Sequence, residues 1–142
     1  MSAESFLDTN VLIYQLDARD LRKHRIAEAL VGAAVATGNA CISFQVIQEC
    51  LNVVLKKAEV RLDAAGARAY LENVLVPLGR VASSLALYRK GLALQERWGF
   101  GFYDSLIVAG ALEAGCKRLL TEDLQHGQVI ETLTIENPFR RK

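Results

Sequence analysis

Four carboxylates, Asp8, Glu49, Asp104 and Asp123, each stand where an element of regular structure begins, ends or turns a polar face outward. Asp8 closes the short apolar run Phe6-Leu7, and Asp123 follows Leu120-Thr121 by two residues. Asp104 precedes the apolar run Leu106-Ile107-Val108-Ala109, and Glu49 lies within a helical stretch. Singly, each has an ordinary explanation. Asp8 and Asp104 suit helix caps, worth about 1 kcal/mol each; Asp123 suits a turn, and Glu49 a solvated helix face. Brought together they mean something else. Two unit charges about 4 Å apart repel by roughly 4 kcal/mol at an effective dielectric near 20, so ionised carboxylates sharing a crevice require protons or a cation. All-oxygen ligands suit a hard ion such as Mg²⁺ or Mn²⁺. An ion held that way acidifies a water molecule and stabilises the charge that builds during phosphodiester hydrolysis.

The elements that would carry these acids alternate strand and helix. Phe6-Leu7 predicts a first strand ending at Asp8, followed by helix from about Asn10 to Leu16 and again from Leu21 to Ala36, with Gly38 as the stop. Ala40-Cys41-Ile42 predicts a second strand and Ser43 to Lys57 a helix, with Ser43 as its cap. On that helix Phe44, Ile47, Leu51, Val54 and Leu55 are the expected buried side, and Gln45, Glu49, Asn52 and Lys56 the polar one. A helix from Asp63 carries Ala64, Ala67, Leu71 and Val74 on one side. Gly79-Arg80-Val81 follows as a third strand, and a helix capped by Ser83 or Ser84 ends near Arg97. Asp104 to Ala114 is apolar nearly all round, so it should be a buried helix, ended by Gly115. Arg118 to Thr121 and Leu133 to Ile135 are the fourth and fifth strands. This alternation predicts an α/β domain in three layers, α/β/α, around a central, mostly parallel, five-stranded sheet. In such sheets ligands bind beyond the carboxyl ends of the strands. If strands one and four are neighbours, Asp8 and Asp123 share one crevice.

The 142 residues make one domain. No linker, repeat or low-complexity segment divides residues 1–142, and neither Pro77 nor Pro138 marks a boundary. With 51% hydrophobic and 23% charged residues the chain can fill a core, which excludes a disordered or disulfide-stapled class. A net charge of +1 is too low for a protein that holds duplexes by charge alone. Three cysteines, Cys41, Cys50 and Cys116, give neither paired spacing nor a disulfide framework. Cys50 and Cys116 are expected to be small buried hydrophobes, in keeping with a reducing compartment. No secretory signal and no apolar run of the roughly 18–20 residues a membrane span requires is present. The expectation is a cytoplasmic protein with no membrane partner.

Phe6-Leu7-Asp8-Thr9-Asn10-Val11-Leu12 resembles the opening of PIN domains. Phe102-Tyr103-Asp104-Ser105-Leu106-Ile107-Val108-Ala109 is similar to their third acidic motif, and Leu120-Thr121-Glu122-Asp123-Leu124-Gln125-His126-Gly127 to the fourth. Ile135-Glu136-Asn137-Pro138-Phe139 resembles the closing strand, and Gln48-Glu49 falls where the family places its second acid. The resemblance spans essentially the whole chain. Within the superfamily, its size and closing segment resemble the VapC-type toxins of type II toxin–antitoxin modules. It implies an Mg²⁺- or Mn²⁺-dependent endoribonuclease with an RNA substrate, a cognate antitoxin and a homodimeric state. Asp8, Glu49, Asp104 and Asp123 would then be the metal-site acids, with Asp8 and Asp104 as direct ligands and Asn10 and Thr121 orienting carboxylates or water. Glu122 is an extra acid beside the fourth motif, expected to face solvent. Two alternatives stay open: a catalytically inactive PIN-like interaction module, and a PIN nuclease outside any toxin–antitoxin system.

Other features weigh less. Arg19, Arg22, Lys23 and Arg25 form one basic cluster and Arg140-Arg141-Lys142 another. Either can hold phosphates, but solvated faces are the commoner role. Trp98, Phe100, Phe102 and Tyr103 crowd the approach to Asp104, where core or dimer packing outweighs base stacking. His24 and His126 invite acid–base chemistry, which a metal-bound water does not need. A haloacid-dehalogenase-like phosphatase would want an Asp at position 10, where this chain has Asn10, and no phosphate-cradling Gly-Lys loop is present.

Overall fold

The apolar runs between Ser5 and Glu136 are too short to be helices, and they line up as six strands in one sheet. The structure is a computed structural model that describes residues 3–141, so Lys142 of the basic tail lies outside the described residues. The strands are β1 (Ser5–Leu7), β2 (Ala40–Ser43), β3 (Gly79–Val81), β4 (Arg118–Leu120), β5 (Val129–Ile130) and β6 (Leu133–Glu136). Their order across the sheet is β3-β2-β1-β4-β6-β5. Every pairing is parallel except β5 with β6. The chain builds one way from β1 through β2 to β3, then crosses back to place β4 on the other side of β1. The reversal at β1 and β4 opens a crevice at their carboxyl ends, the usual ligand position in sheets of this kind.

The helices are α1 (Thr9–Leu16), α2 (Leu21–Thr37), α3 (Phe44–Lys56), α4 (Ala64–Tyr70), α5 (Val76–Leu78), α6 (Leu85–Trp98) and α7 (Phe102–Glu113). Between α4 and α5 the chain keeps winding through a π-helical stretch, Leu71–Leu75. Side-chain caps start four of them: Asp8 accepts from the Thr9 N–H, Asp20 from Lys23, Asp63 from Gly66 and Ser84 from Leu87. Gly38 and Gly99 end α2 and α6 in the left-handed conformation, at φ 73° and 76°. Ser43 holds the cap position of α3 but makes no side-chain cap bond.

Because strand side chains alternate between faces, each face of the sheet meets its own helix. Ser5 and Leu7 line a cavity with Ile26 and Leu30 of α2, while the Phe6 ring reaches Gly110 of α7. The result is the expected α/β/α sandwich. Phe6, Leu7, Ile42, Leu119 and Ile135 fill its centre, fully buried. All of Ser105–Ala111 is buried on α7, as its all-round apolar sequence predicts. The three cysteines are buried and free.

Two expectations need correction. The sheet has six strands rather than five, because Val129-Ile130 turns back onto Leu133 in a tight hairpin. Glu131 sits in that turn at φ 55°, a conformation that Gly, Asn or Asp usually signals, so the hairpin carries no mark in the sequence. On α3 the buried face is Gln45, Val46, Cys50 and Val54. Phe44, Ile47 and Leu51 are only partly covered, and Leu55 is exposed. A wheel ranked by hydrophobicity turned toward the leucines, whereas contact with α1, α4 and the sheet selects the row led by Val46 and Cys50.

Helices α6 and α7 touch at Gly91, where an added Cβ would stand 2.7 Å from Leu106 Cδ2. Gly91→Leu is therefore expected to overpack this contact and lower stability by about 1–3 kcal/mol. Urea unfolding checks this as a lower midpoint with an unchanged slope.

Candidate active site

Asp8 leaves the end of β1 with its backbone N–H bonded to the Leu120 carbonyl at 3.0 Å. It caps α1 by accepting from the Thr9 N–H at 2.7 Å. The Leu7–Leu120 register brings Thr121 alongside, and the fully buried Thr121 hydroxyl donates to Asp8 Oδ2 at 2.8 Å. The Thr121 hydroxyl oxygen in turn accepts from Asn10 Nδ2 at 3.2 Å and from the Asp123 N–H at 3.1 Å. Asn10 Nδ2 also donates to Asp123 Oδ2 at 3.1 Å. Glu49 reaches the site from α3, its Oε1 taking the Thr9 hydroxyl proton at 2.8 Å.

Asp104 stands in the first turn of α7, where negative charge suits the helix dipole. It is not the helix cap; the chain enters α7 through Gly101. Gln45 on α3 donates to the Tyr103 carbonyl at 3.2 Å, which ties this turn to the helix that bears Glu49.

The electrostatics join the four acids into a series. Burial pushes Asp8 up to about 6, with Asp123 and Glu49 adding to the rise and the bonds from Thr121 and Thr9 opposing it. Asp104 is also raised, first by burial and then by Asp123. Asp123 thus acts on both Asp8 and Asp104. Among the described residues no three acidic, His or Cys side chains close into a metal-holding group. A cleft of about 520 Å³ beside the site is lined by Asn10, Glu49 and Asp123 together with Arg19 and Lys57.

A family model described as the PIN domain matches residues 5–130. The chain belongs to the PIN domain family. Solved structures agree on the fold. A toxin–antitoxin complex from Klebsiella pneumoniae superposes with a TM-score of 0.62 at 17% identity, covering 94% of this chain and 97% of that one. The Mycobacterium tuberculosis toxin VapC20, described as cleaving the sarcin–ricin loop, gives 0.62 at 20% identity over 84% and 89% of the two chains. VapBC2 from Rickettsia felis, bound to a DNA fragment of its promoter, gives 0.63 at 19% identity over 94% and 97%. A search among curated proteins finds no significant sequence match.

In this PIN domain Asp8, Asn10, Thr121, Asp123 and Glu49 meet directly or through one hydrogen bond, and Asp104 meets them through its field. Glu122 does not face solvent as expected. Tyr14 donates to it at 2.6 Å and Lys23 at 2.9 Å, with the Lys23 ammonium 4.9 Å from the Tyr14 ring centroid. The basic cluster is largely occupied too: Arg19 pairs with Asp17 and Glu59, and Arg22 bonds the Phe139 carbonyl. Trp98 and Phe100 pack against the core, whereas Phe102 and Tyr103 are 39% and 68% exposed beside Asp104. His126 accepts from the Asn137 N–H. Sequence reasoning passed over Thr9 and Gln45. Thr9 could have been found, since it adjoins Asp8 and faces outward one turn before Ile13; Gln45 had no signal, its partner being a backbone carbonyl 58 residues away.

A carboxyl group with a raised folded-state pKa stabilises the fold while protonated. That contribution is complete below the ordinary value of 3.8 and is lost as pH rises through about 6. Two units correspond to about 3 kcal/mol. Metal-free protein is expected to lose up to this amount between pH 4 and pH 7, and Asp8→Asn to flatten the loss (about one proton's worth). Urea denaturation across that range in the presence of a chelator is the check.

Proposed function

We propose that this PIN domain is a divalent-metal-dependent endoribonuclease and the toxin of a toxin–antitoxin pair. The observation that carries the reading is that Asp8 and Asp123 follow two adjacent parallel strands, with Glu49 and Asp104 brought in from α3 and α7, so that Asp123 and Glu49 raise the cost of ionising Asp8 and Asp123 that of Asp104.

The residues suit a hard cation. Every donor is oxygen, and the Asn10 Oδ1 atom is buried without a hydrogen-bond partner beside the acids. Mg²⁺ typically takes only one or two protein carboxylates and fills the rest of its octahedron with water and substrate oxygens, which accords with acids that do not close into a tight cage. Asp8 and Asp104 would hold the ion directly, with Glu49 and Asp123 reaching it directly, through water or at a second ion. When bound, the ion would acidify a water and offset charge on the phosphate. The chain's own part is orientation. Thr121 fixes the Asp8 carboxylate, Asn10 fixes Asp123, and Thr9 holds Glu49. The exposed rings of Phe102 and Tyr103, inclined to each other at 66°, each offer an aromatic face next to Asp104 for an unpaired base.

The toxin role draws on the solved relatives: two are complexes of toxin with antitoxin, and a third is described as a toxin that cleaves the sarcin–ricin loop. It includes a homodimeric state and neutralisation by an antitoxin. Among the described residues no helix is long and apolar enough to cross a membrane, and cytoplasmic action fits an RNA substrate.

Purified chain, free of antitoxin, is expected to cleave RNA with Mg²⁺ or Mn²⁺ and to stop on chelation. Asp8→Asn, Asp104→Asn and Asp123→Asn should each lower the rate at least a hundredfold, and Thr121→Val by roughly 10–100-fold through loss of ligand orientation. Gel-resolved cleavage of a mixed RNA pool reads all four. Intact RNA under every Mg²⁺ and Mn²⁺ condition would leave a protein-binding module as the better account.

A further inference from the structure

Cys41 and Cys116 lie 75 residues apart in the chain, so their spacing gives no sign of a partnership, yet the fold brings their sulfurs to 3.7 Å. Cys41 stands on β2 beside Phe6 of β1, and Cys116 follows Gly115 in the turn between α7 and β4. Both thiols are buried and free. Arg80, exposed on the edge strand β3, bonds the Gly38 carbonyl at 2.9 Å, and its charge acts on both sulfurs. The S–H of Cys116 holds Cys41 below the ordinary thiol range against the opposing effect of burial, with Arg80 adding to the fall. Cys116, as the donor, is pushed up. One sulfur is thus readied for ionisation and a second stands in contact with it, which is how an oxidised cysteine and the thiol that resolves it are arranged. Cys50 differs. Burial, then Glu49 and Asp8, push its thiol up, and it stands apart from the pair.

We propose that Cys41 and Cys116 form a site of reversible oxidation, at which hydrogen peroxide converts the two thiols, 3.7 Å apart, into an intramolecular disulfide. The Cys41 thiolate attacks one peroxide oxygen, the O–O bond breaks, hydroxide leaves, and Cys41 becomes a sulfenic acid. The Cys116 sulfur then attacks the oxidised sulfur; the S–S bond forms, the S–O bond breaks, and a second hydroxide leaves. The two hydroxides take up the two thiol protons. Two electrons have then passed from sulfur to peroxide, and two waters are the by-product. A disulfide bond measures about 2.0 Å, so the sulfurs must approach by about 1.7 Å. Strand β2 is held between β1 and β3, so the movement falls to the turn that carries Cys116. A Cβ on Gly115 would meet nothing within 4 Å, so that turn has open space beside it. The bond would join β2, which runs directly into the helix of Glu49, to the turn between α7, which carries Asp104, and β4, which precedes Asp123. Closing so long a loop restricts the unfolded chain, and the oxidised form resists unfolding.

The site is independent of the function proposed above, and its test reads thiols and stability rather than cleavage. The full reduced chain is treated with hydrogen peroxide in native buffer, then unfolded and alkylated. Two of the three thiols are expected to escape alkylation, the mass before alkylation to fall by that of two hydrogen atoms, and dithiothreitol to restore all three. Cys41→Ala and Cys116→Ala should each abolish the loss, whereas Cys50→Ala should keep it. Circular dichroism verifies that each variant is folded, and Cys41→Ser and Cys116→Ser repeat the test where an alanine variant is not. Oxidised wild type is expected to unfold at a higher urea concentration than reduced wild type, a difference that should vanish in Cys116→Ala. A disulfide that persists in Cys41→Ala, joins two chains, or forms only after unfolding in urea would overturn the pairing. Oxygen adducts without loss of hydrogen, or three thiols still reactive after peroxide, would do the same.

Discussion

The Thr121 hydroxyl has one proton and two lone pairs, and all three are committed within the crevice. The proton goes to Asp8, and the lone pairs accept from Asn10 and from the Asp123 backbone. Four residues from two strand ends are thereby held around one oxygen atom. The arrangement works only if β1 and β4 are neighbours in the register that sets Leu7 beside Leu120. A slip of one residue would turn Thr121 to the other face of the sheet and separate Asp8 from Asp123. The sheet order, the burial of Leu119 and Leu120, and the α7 crossover that delivers β4 to the far side of β1 are therefore preconditions of the site.

Around this hub a second set of contacts holds the walls. Glu122 points away from its neighbour Asp123 and into the pair formed by Tyr14 and Lys23, and Lys23 also lies over the Phe139 ring. The loop after β4 is thus pinned to α1, to α2 and to the closing segment at once. Gln45 does the corresponding work on the other wall by tying α3 to the first turn of α7. Surface ion pairs contribute little to stability on their own. Here half-buried side chains from four parts of the chain converge, and the result is a fixed direction for Asp123.

Much of this was legible because the acids lie next to the features that define strand ends. Asp8 follows an apolar run too short for a helix, and Asp104 precedes a run that is apolar on all sides. Those local contrasts predicted the strand end, the buried helix and the shared crevice. Glu49 had no such contrast and stood on family resemblance, because the hydrogen bond that brings it in comes from Thr9, 40 residues earlier. The Glu122 partners lie 99 and 108 residues away, so a local reading left both Glu122 and the basic cluster in solvent. The β5 hairpin escaped for a different reason, since Glu131 adopts a positive φ without the residue type that normally announces it. On α6 the leucines at 85, 87, 92 and 94 scatter around the wheel in sequence. Only the position of α7 separates the face that is covered from the one that is not.

The energetics of Asp8 connect this architecture to its proposed use. Two hydrogen bonds favour the ionised carboxylate, yet burial outweighs them and carries the group to about 6. A fold with the usual 5–15 kcal/mol of stability can carry that cost, but a better-solvated position would avoid it. Competition at the site gives the cost a function. Below about pH 6 a proton occupies Asp8, and any cation entering the crevice must displace it, so affinity would rise with pH up to that point and then level off. Above it the ionised Asp8 lies next to Asp123 and Glu49 with no positive side chain among the causes that set its pKa. A lysine or arginine there would relieve the repulsion and, by the same interaction, exclude a metal ion. Lys23 and Arg19 are instead turned onto Glu122, Asp17 and Glu59, so these two cations do not offset the negative field of the crevice.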